Sequence, residues 1–261
     1  MCPLNPIDTI DITVDDLAKS YSNGGQTEQI FKDLQLEIKK KSFVAILGPS
    51  GCGKSTLLRL LSQAETPDQG TVKLNDAHRN NRRAHIEQKP ALLPWRTALQ
   101  NAYIGGEIRI DQDKKFRENY AKNLKEAFQE FHLKGYENYY PSQLSGGMQQ
   151  RVAVIRALQS EPAILFCDEP FSAIDFVTRL ELDTVFKQKC RDLTCTTVFV
   201  THNIDEAIFL ADRIIVFNKE RPCRIVADIP NPHWRNFTDA VKSRLTPEFN
   251  ALFEKIWGYL Q

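Results

Sequence analysis

The sequence predicts an α/β protein: a mostly parallel sheet core, an antiparallel β subdomain and an inserted α-helical subdomain. Three observations carry this. Short apolar runs, Phe43-Val44-Ala45-Ile46-Leu47, Ala163-Ile164-Leu165-Phe166-Cys167 and Thr196 to Val200, have the composition of strands buried on both faces. Helical patterns alternate with them, which argues for parallel pairing. Runs near the N-terminus alternate apolar with polar instead, as an antiparallel pair with one wet face would.

The elements follow in order. Ile7 to Val14 and Ile30 to Ile38 read as strands through Ile10, Ile12 and Val14, then Leu34, Leu36 and Ile38. A polar loop with Ser22-Asn23-Gly24-Gly25 separates them. Phe43 to Leu47 is the first buried strand, and the helix behind it carries Leu57, Leu58, Leu60 and Leu61 on its apolar side. Gly70 to Leu74 is a short strand. Ile110 to Lys134 reads as a helix whose stripe Phe116, Tyr120, Leu124, Phe128 and Phe131 is packing rather than a ligand box. Ala163 to Cys167 is the second buried strand, Asp175 to Asp192 a helix and Thr196 to Val200 the third strand. Asn203 to Asp212 is a helix and Arg213 to Phe217 a strand.

The tail has its own character. Thr246-Pro247-Glu248 supplies an N-cap, a proline at the first helical position and an acidic first turn. Phe249, Leu252, Phe253, Ile256, Trp257 and Leu260 then follow at helical spacing. The polar face is not lysine-rich, so docking on its own domain is expected over lying on a membrane.

Bulk properties narrow the function. The chain has 261 residues, enough for one large domain or a core with a subdomain. Its net charge of +1 gives no electrostatic case for nucleic acid, and the cluster Arg79, Arg82, Arg83 reads as a solvated loop. No apolar run approaches the ~18 residues of a membrane span. Met1 to Asp16 lacks a signal-peptide core, so a cytoplasmic location is expected. Six cysteines without a C-x-x-C pair argue against zinc and fit a reducing compartment.

The chemistry begins at Gly48-Pro49-Ser50-Gly51-Cys52-Gly53-Lys54-Ser55-Thr56. This is G-x-x-x-x-G-K-[ST], the P-loop, between a buried strand and a helix. Glycines let the backbone wrap a phosphate, and successive N–H groups with the helix N-terminus receive the anion. Lys54 reaches the outer phosphates, and the Ser55 hydroxyl can ligate Mg²⁺. Cys52 reads as a small filler whose alkylation would block the nucleotide site.

Asp168 and Glu169 end the second buried strand, where such strands deliver residues to a ligand crevice. Asp168 is placed for the Mg²⁺ shell and Glu169 to polarise a water. A strand end with solubilising acids is the plainer alternative. His202 follows the next strand and is read either as structural or as a γ-phosphate contact. Leu144-Ser145-Gly146-Gly147-Met148-Gln149-Gln150-Arg151 opens a helix with Ser145 as N-cap, and its glycines make a second anion nest. A capped helix is the bland reading. A symmetric dimer would explain a second nest, each chain's completing the partner's P-loop site.

Together LSGGMQQR, GPSGCGKST and ILFCDEP resemble the ATP-binding cassette (ABC) ATPases, over roughly Ile10 to Val226. Gln88 resembles the Q-loop glutamine, and Ser172-Ala173-Ile174-Asp175 the D-loop, with Ile174 where leucine is commoner. His202 resembles the switch histidine and Tyr21 the aromatic that stacks on adenine. The resemblance implies a P-loop NTPase (RecA-like) core and an ATPase using ATP and Mg²⁺. It implies catalytic roles for Glu169, His202 and Gln88, and metal ligation by Ser55, Gln88 and Asp168. Nucleotide binding would fall to Tyr21, the loop from Gly48 to Thr56, and Ser145, Gly146, Gly147 and Gln149 of the opposite chain. It also implies domain limits at 7–228, with a helical subdomain at about 90–160, followed by a helical extension at 229–261.

Leu92-Leu93-Pro94-Trp95, Asp168-Glu169-Pro170-Phe171-Ser172-Ala173, Asp205-Glu206-Ala207 and Phe209-Leu210-Ala211-Asp212-Arg213 resemble importer ATPases of the nitrate, sulfonate and taurine group. That implies a homodimer, or a pseudo-dimer with a related ATPase, on the inner face of the membrane. Its partners would be integral-membrane permease subunits and, indirectly, a solute-binding protein, with no nucleic acid. Leu93 and Trp95 suit a partner pocket, with a local core plug as the competing reading. A non-transport ATPase in nucleic-acid repair or cluster assembly is the alternative class, opposed by the neutral charge and the lack of a zinc module or coiled-coil insertion. A P-loop kinase would leave the second nest unexplained.

Overall fold

The computed structural model describes residues 10–23, 26–75, 82–110 and 114–261. Ile7, Gly24, Gly25, Arg79 and the side chain of Phe116, all named above, lie outside the described residues, as does Cys2, one of the six cysteines. The chain forms two compact units: residues 1–81 with 196–261, and residues 82–195.

The first unit opens with β1 (Ile10–Asn23), β2 (Gln26–Lys39), β3 (Phe43–Leu47), α1 (Lys54–Leu61) and β4 (Gln69–Leu74). β1 lies between β2 and β4, antiparallel to both. β1 runs well past Val14, where alternation breaks at Asp15-Asp16. The ladder absorbs that break as a bulge: Asp16 has φ 50, and the register shifts between Val14 and Leu17. Gly70 on β4 makes this possible, because a Cβ there would sit 2.4 Å from the Asp15 and Asp16 carbonyl oxygens.

The second unit contains β5 (Arg83–Ile86), α2 (Ala98–Ile110), α3 (Lys114–Glu130), α4 (Gly146–Gln159), β6 (Ile164–Asp168) and α5 (Phe176–Leu193). β5 and β6 pair in parallel. Helix α2 has no counterpart in the sequence reading, and it contains Gly105 and Gly106, residues of low helix propensity. They are contact points: a Cβ on Gly105 would lie 2.0 Å from the Arg156 carbonyl of α4, and one on Gly106 2.3 Å from the Tyr120 ring of α3. Close helix packing outweighs the ~1 kcal/mol propensity cost of each glycine.

The chain then completes the first unit with β7 (Thr196–Thr201), α6 (Ile204–Leu210), β8 (Arg213–Phe217), β9 (Ile225–Pro230), α7 (Ala240–Ser243) and α8 (Pro247–Leu260). β3 pairs in parallel with β7 on one side and β8 on the other, and β9 closes antiparallel to β8. All residues of β3 and β7 are buried: β3 is continuously apolar, and β7 also buries Thr196, Thr197 and Thr201 around its apolar centre Val198-Phe199-Val200. Leu57, Leu58, Leu60 and Leu61 of α1 are fully buried, each worth about 1.5–3 kcal/mol of transfer free energy.

Helix α8 begins at its expected cap, Thr246 Oγ1 accepting from the Phe249 amide. It packs on α6 and β8. Phe249 and Ile256 are buried, and Phe237 meets Phe249 edge-on at 5.5 Å. Trp257, on the same expected stripe, stays half exposed. No described helix is long and apolar enough to cross a membrane.

Candidate functional site

In the first unit β3 delivers the chain to Gly48, and the loop turns back into α1. Gly51 and Gly53 adopt left-handed φ of 81° and 100°, which L side chains resist. A Cβ on Gly53 would lie 2.5 Å from Ile30 Cγ2. Gly53 is also the N-cap of α1 and supplies no side-chain acceptor. The first amides of α1 are thus left for an anion, and the loop fits a phosphate cradle on its own geometry.

Lys54 is buried and donates to the Gly48 and Pro49 carbonyl oxygens at 2.7 and 2.8 Å. Both are neutral acceptors, and a phosphate oxygen would make a stronger, charge-assisted bond. Ser55 is half buried, and the buried Thr56 hydroxyl accepts from Arg59 Nη2 at 3.3 Å. Ser50 is exposed. The Cys52 thiol is pushed up by burial, opposed by nearby Lys54. A neutral thiol packed in the loop matches the filler role expected of it.

Tyr21 sits near the end of β1, partly exposed. Its hydroxyl donates to Glu65 Oε1 at 2.6 Å, and Lys19 Nζ lies 5.4 Å from its ring centroid. The hydroxyl is thus tied to Glu65, and the Lys19 ammonium lies over one face of the ring. Glu65 is held below the usual carboxylate range by its bonds to Tyr21, Lys19 and Arg59, against the opposing effect of burial, the largest single influence on it. His202 is exposed just beyond β7. The turn that carries it is braced by Thr201 Oγ1 donating to Glu206 Oε2 at 2.5 Å and Asn203 capping α6.

In the second unit, β6 ends at Asp168, and Glu169 follows with φ 47. Gln88 Nε2 lies 3.5 Å from Glu169 Oε2, at the outer limit of a hydrogen bond. Ser145 Oγ accepts from the Met148 amide at 3.2 Å, capping α4. Gly147 is required by proximity, since a Cβ there would sit 2.9 Å from the Ala173 carbonyl oxygen. The unit thus brings Gln88 and Glu169 together, and sets the Gly146–Gly147 nest against Ala173.

Gln149 donates through Nε2 to the Pro141 and Leu144 carbonyls at 2.9 and 3.2 Å, pinning the loop before α4. Gln150, given no role from the sequence, is the better connected of the two. It is buried, donates to the Gln88 carbonyl and to Ser172 Oγ at 3.1 and 3.3 Å, and accepts from the Ala173 amide at 3.0 Å. The available signal was its register: Gln150, Val154 and Ala157 fall on one helix face, so the polar residue occupies a buried stripe.

Asn101, fully buried, accepts from the Leu93 amide at 2.7 Å and donates to the Leu93, Arg96 and Thr97 carbonyls. The loop it fastens leaves Trp95 70% exposed. That exposure argues against a core plug at Trp95.

Ser55 and Asp168 offer hard oxygen donors of the kind Mg²⁺ takes. Among the described residues no cluster of three or more His, Cys, Asp or Glu could hold a metal alone. Either residue alone would leave most of a Mg²⁺ shell to substrate phosphates and water.

The family model described as "ABC transporter" matches residues 31–172, more than half of the chain. The aliphatic sulfonates import ATP-binding protein SsuB of Bacillus cereus is 34% identical over 251 residues, covering 94% of this chain and 96% of that protein. The spermidine/putrescine import ATP-binding protein PotA of Oleidesulfovibrio alaskensis is 40% identical over 196 residues, covering 73% of this chain and 52% of that protein. The dimeric structure of the bacterial ABC transporter cassette MJ0796 aligns with a TM-score of 0.70 at 30% identity, over 84% of this chain and 98% of that one.

Proposed function

The chain belongs to the ABC transporter ATPase family, and from that membership we propose that it powers a membrane importer for a small solute by ATP-driven closure of a dimer. The observation that carries the importer reading is the near full-length likeness to an import ATP-binding protein. The ordered, exposed Trp95 supports it, because a permease needs a fixed apolar foothold. The solute is a small molecule of the nitrate, sulfonate, taurine or bicarbonate kind, or a vitamin precursor. The cassette itself does not select it: relatives named for sulfonates and for polyamines are 34% and 40% identical to this chain.

In this reading the ATPase domain spans 7–228, with the extension 229–261 beside it. Tyr21 stacks on the adenine. Backbone amides from Gly48 to Thr56 hold the phosphates, and Lys54 exchanges its two carbonyl acceptors for phosphate oxygens. Glu169 accepts a proton from the attacking water, with Gln88 and His202 orienting the water and the γ-phosphate. Ser55, Asp168 and Gln88 are the residues that would hold Mg²⁺, which supplies charge neutralisation on the phosphates. Ser145, Gly146, Gly147 and Gln149 serve the site of the opposite protomer. The partners are a second such cassette, permease subunits and, through them, a solute-binding protein. The location is the inner face of the cell membrane.

Affinity capture tests this. A tagged Glu169→Gln chain, expressed in its own cell and extracted in mild detergent with ATP, should retain a multi-span membrane protein. Recovery of nucleic acid or cluster-assembly factors with no membrane subunit would overturn the importer reading.

A further inference from the structure

We propose that Arg221, on the β8–β9 connection, is a positioning residue for the phosphate loop. Its guanidinium donates to the Gly51 carbonyl oxygen at 2.7 Å and pairs with Glu28 of β2. Two residues on, the Cys223 thiol donates to the Cys52 carbonyl oxygen. One short segment thus holds two consecutive carbonyls of the P-loop.

The consequence follows from peptide geometry. A trans peptide is planar, with C=O and N–H pointing opposite ways. Fixing the Gly51 and Cys52 carbonyls therefore fixes the Cys52 and Gly53 amides on the opposite, loop side, where the Cys52 amide reaches the Pro49 carbonyl at 3.4 Å and a phosphate oxygen could replace that acceptor. Both glycines flanking Cys52 are left-handed, so this stretch would otherwise be the softest of the loop.

The segment is well anchored for such a task. The Cys223 amide donates to the Ile30 carbonyl at 2.7 Å, and Cys223 bridges Phe31. Asn218 and Arg224 close the turn, the Arg224 amide donating to Asn218 Oδ1 at 2.7 Å and the Asn218 amide to the Arg224 carbonyl at 3.1 Å. Phe31 packs edge-on against Phe217 at 6.1 Å. Arg221 is therefore presented from a braced turn, with Glu28 aligning its guanidinium.

The proposal rests on the reading that the loop holds ATP phosphates, and the experiment separates the two. ATP affinity and steady-state hydrolysis are measured for the wild type, Lys54→Ala, Arg221→Ala, Arg221→Lys and Glu28→Gln, with melting temperatures recorded without nucleotide. A charged hydrogen bond of this kind corresponds to roughly a tenfold effect. Arg221→Ala should raise the Kd and KM for ATP about that much and leave kcat at saturating ATP within about twofold. Arg221→Lys should recover most of the affinity, because an ammonium can still reach one carbonyl. Glu28→Gln should give a smaller loss of the same kind. Wild-type affinity in a folded Arg221→Ala chain overturns the proposal. So does a loss that lysine fails to repair while Glu28→Gln binds normally. Should the wild type itself bind no ATP, the reading of the P-loop fails instead.

Discussion

The Ala173 amide donates to the side-chain oxygen of Gln150 at 3.0 Å, fastening the segment after β6 to the first turn of α4. The same side chain donates to Ser172 and to the Gln88 carbonyl. One buried amide therefore joins three segments that carry sequence-identified site residues. Gln150→Ala would strand the Ala173 amide and the Gln88 carbonyl. Each lost bond is worth about 1 kcal/mol. The expected outcome is a roughly tenfold or greater fall in kcat for ATP with little change in ATP affinity, read by steady-state hydrolysis beside equilibrium binding. A fall in affinity with kcat intact would assign Gln150 to substrate binding instead.

Glu169 has left-handed φ 47 and Gln88 at its carboxylate. Removing its basicity without changing its shape isolates its chemical role. Glu169→Gln should bind ATP as the wild type does and lose hydrolysis by about 100-fold or more, the range expected of a positioned base. Size-exclusion chromatography with ATP should then show a persistent dimer. Hydrolysis at the wild-type rate would remove Glu169 from the mechanism.

Lys54 carries a buried ammonium satisfied by two loop carbonyls. Lys54→Ala removes positive charge at the phosphates and leaves those carbonyls short of a donor. ATP affinity or turnover should fall by about two orders of magnitude, on the scale of a lost transition-state charge contact. Isothermal titration with ATP decides this, because retained binding and turnover contradict the role.

Ser145 caps α4, and its hydroxyl faces the Met148 amide. Ser145→Arg costs about 1 kcal/mol of helix capping, which a folded domain tolerates. The nest belongs to the opposite protomer's site in the proposed dimer. The variant should bind ATP as a monomer and fail to hydrolyse it. Cooperative hydrolysis surviving in this variant speaks against a shared site.

Arg213 donates to both carboxylate oxygens of Asp228 at 2.8 and 2.6 Å across the β8–β9 pair. The guanidinium holds the Asp228 carboxyl below its ordinary value of 3.8. A depressed carboxylate stabilises the fold above pH 3.8, and that contribution fades as pH falls through the lower, folded value. The pair is partly exposed, so the effect stays below about 1 kcal/mol. Asp228→Asn should lower the melting temperature slightly at pH 7 and converge with the wild type near pH 2. Equal melting temperatures across that range would show that the pair contributes nothing.

The buried strands were readable from composition alone. Phe43 to Leu47 and Val198 to Val200 are wholly apolar, as strands buried on both faces of a sheet are. The P-loop was equally legible, because its glycines and lysine are a covalent list whose geometry is local. So was the Thr246 cap, set by a side chain and an amide three residues away. What composition could not give was every feature whose reason lies in another element. Gly105 and Gly106 look like helix breakers until α4 and Tyr120 are seen pressing against them. Asp15 and Asp16 look like the end of a strand until Gly70 makes room for a bulge. Arg221 and Gln150 read as ordinary polar residues, since their partners stand 170 and 23 residues away in sequence for their bonds to Gly51 and Ala173. Local chemistry is written in consecutive residues, whereas contacts between distant segments exist only once burial has driven those segments together.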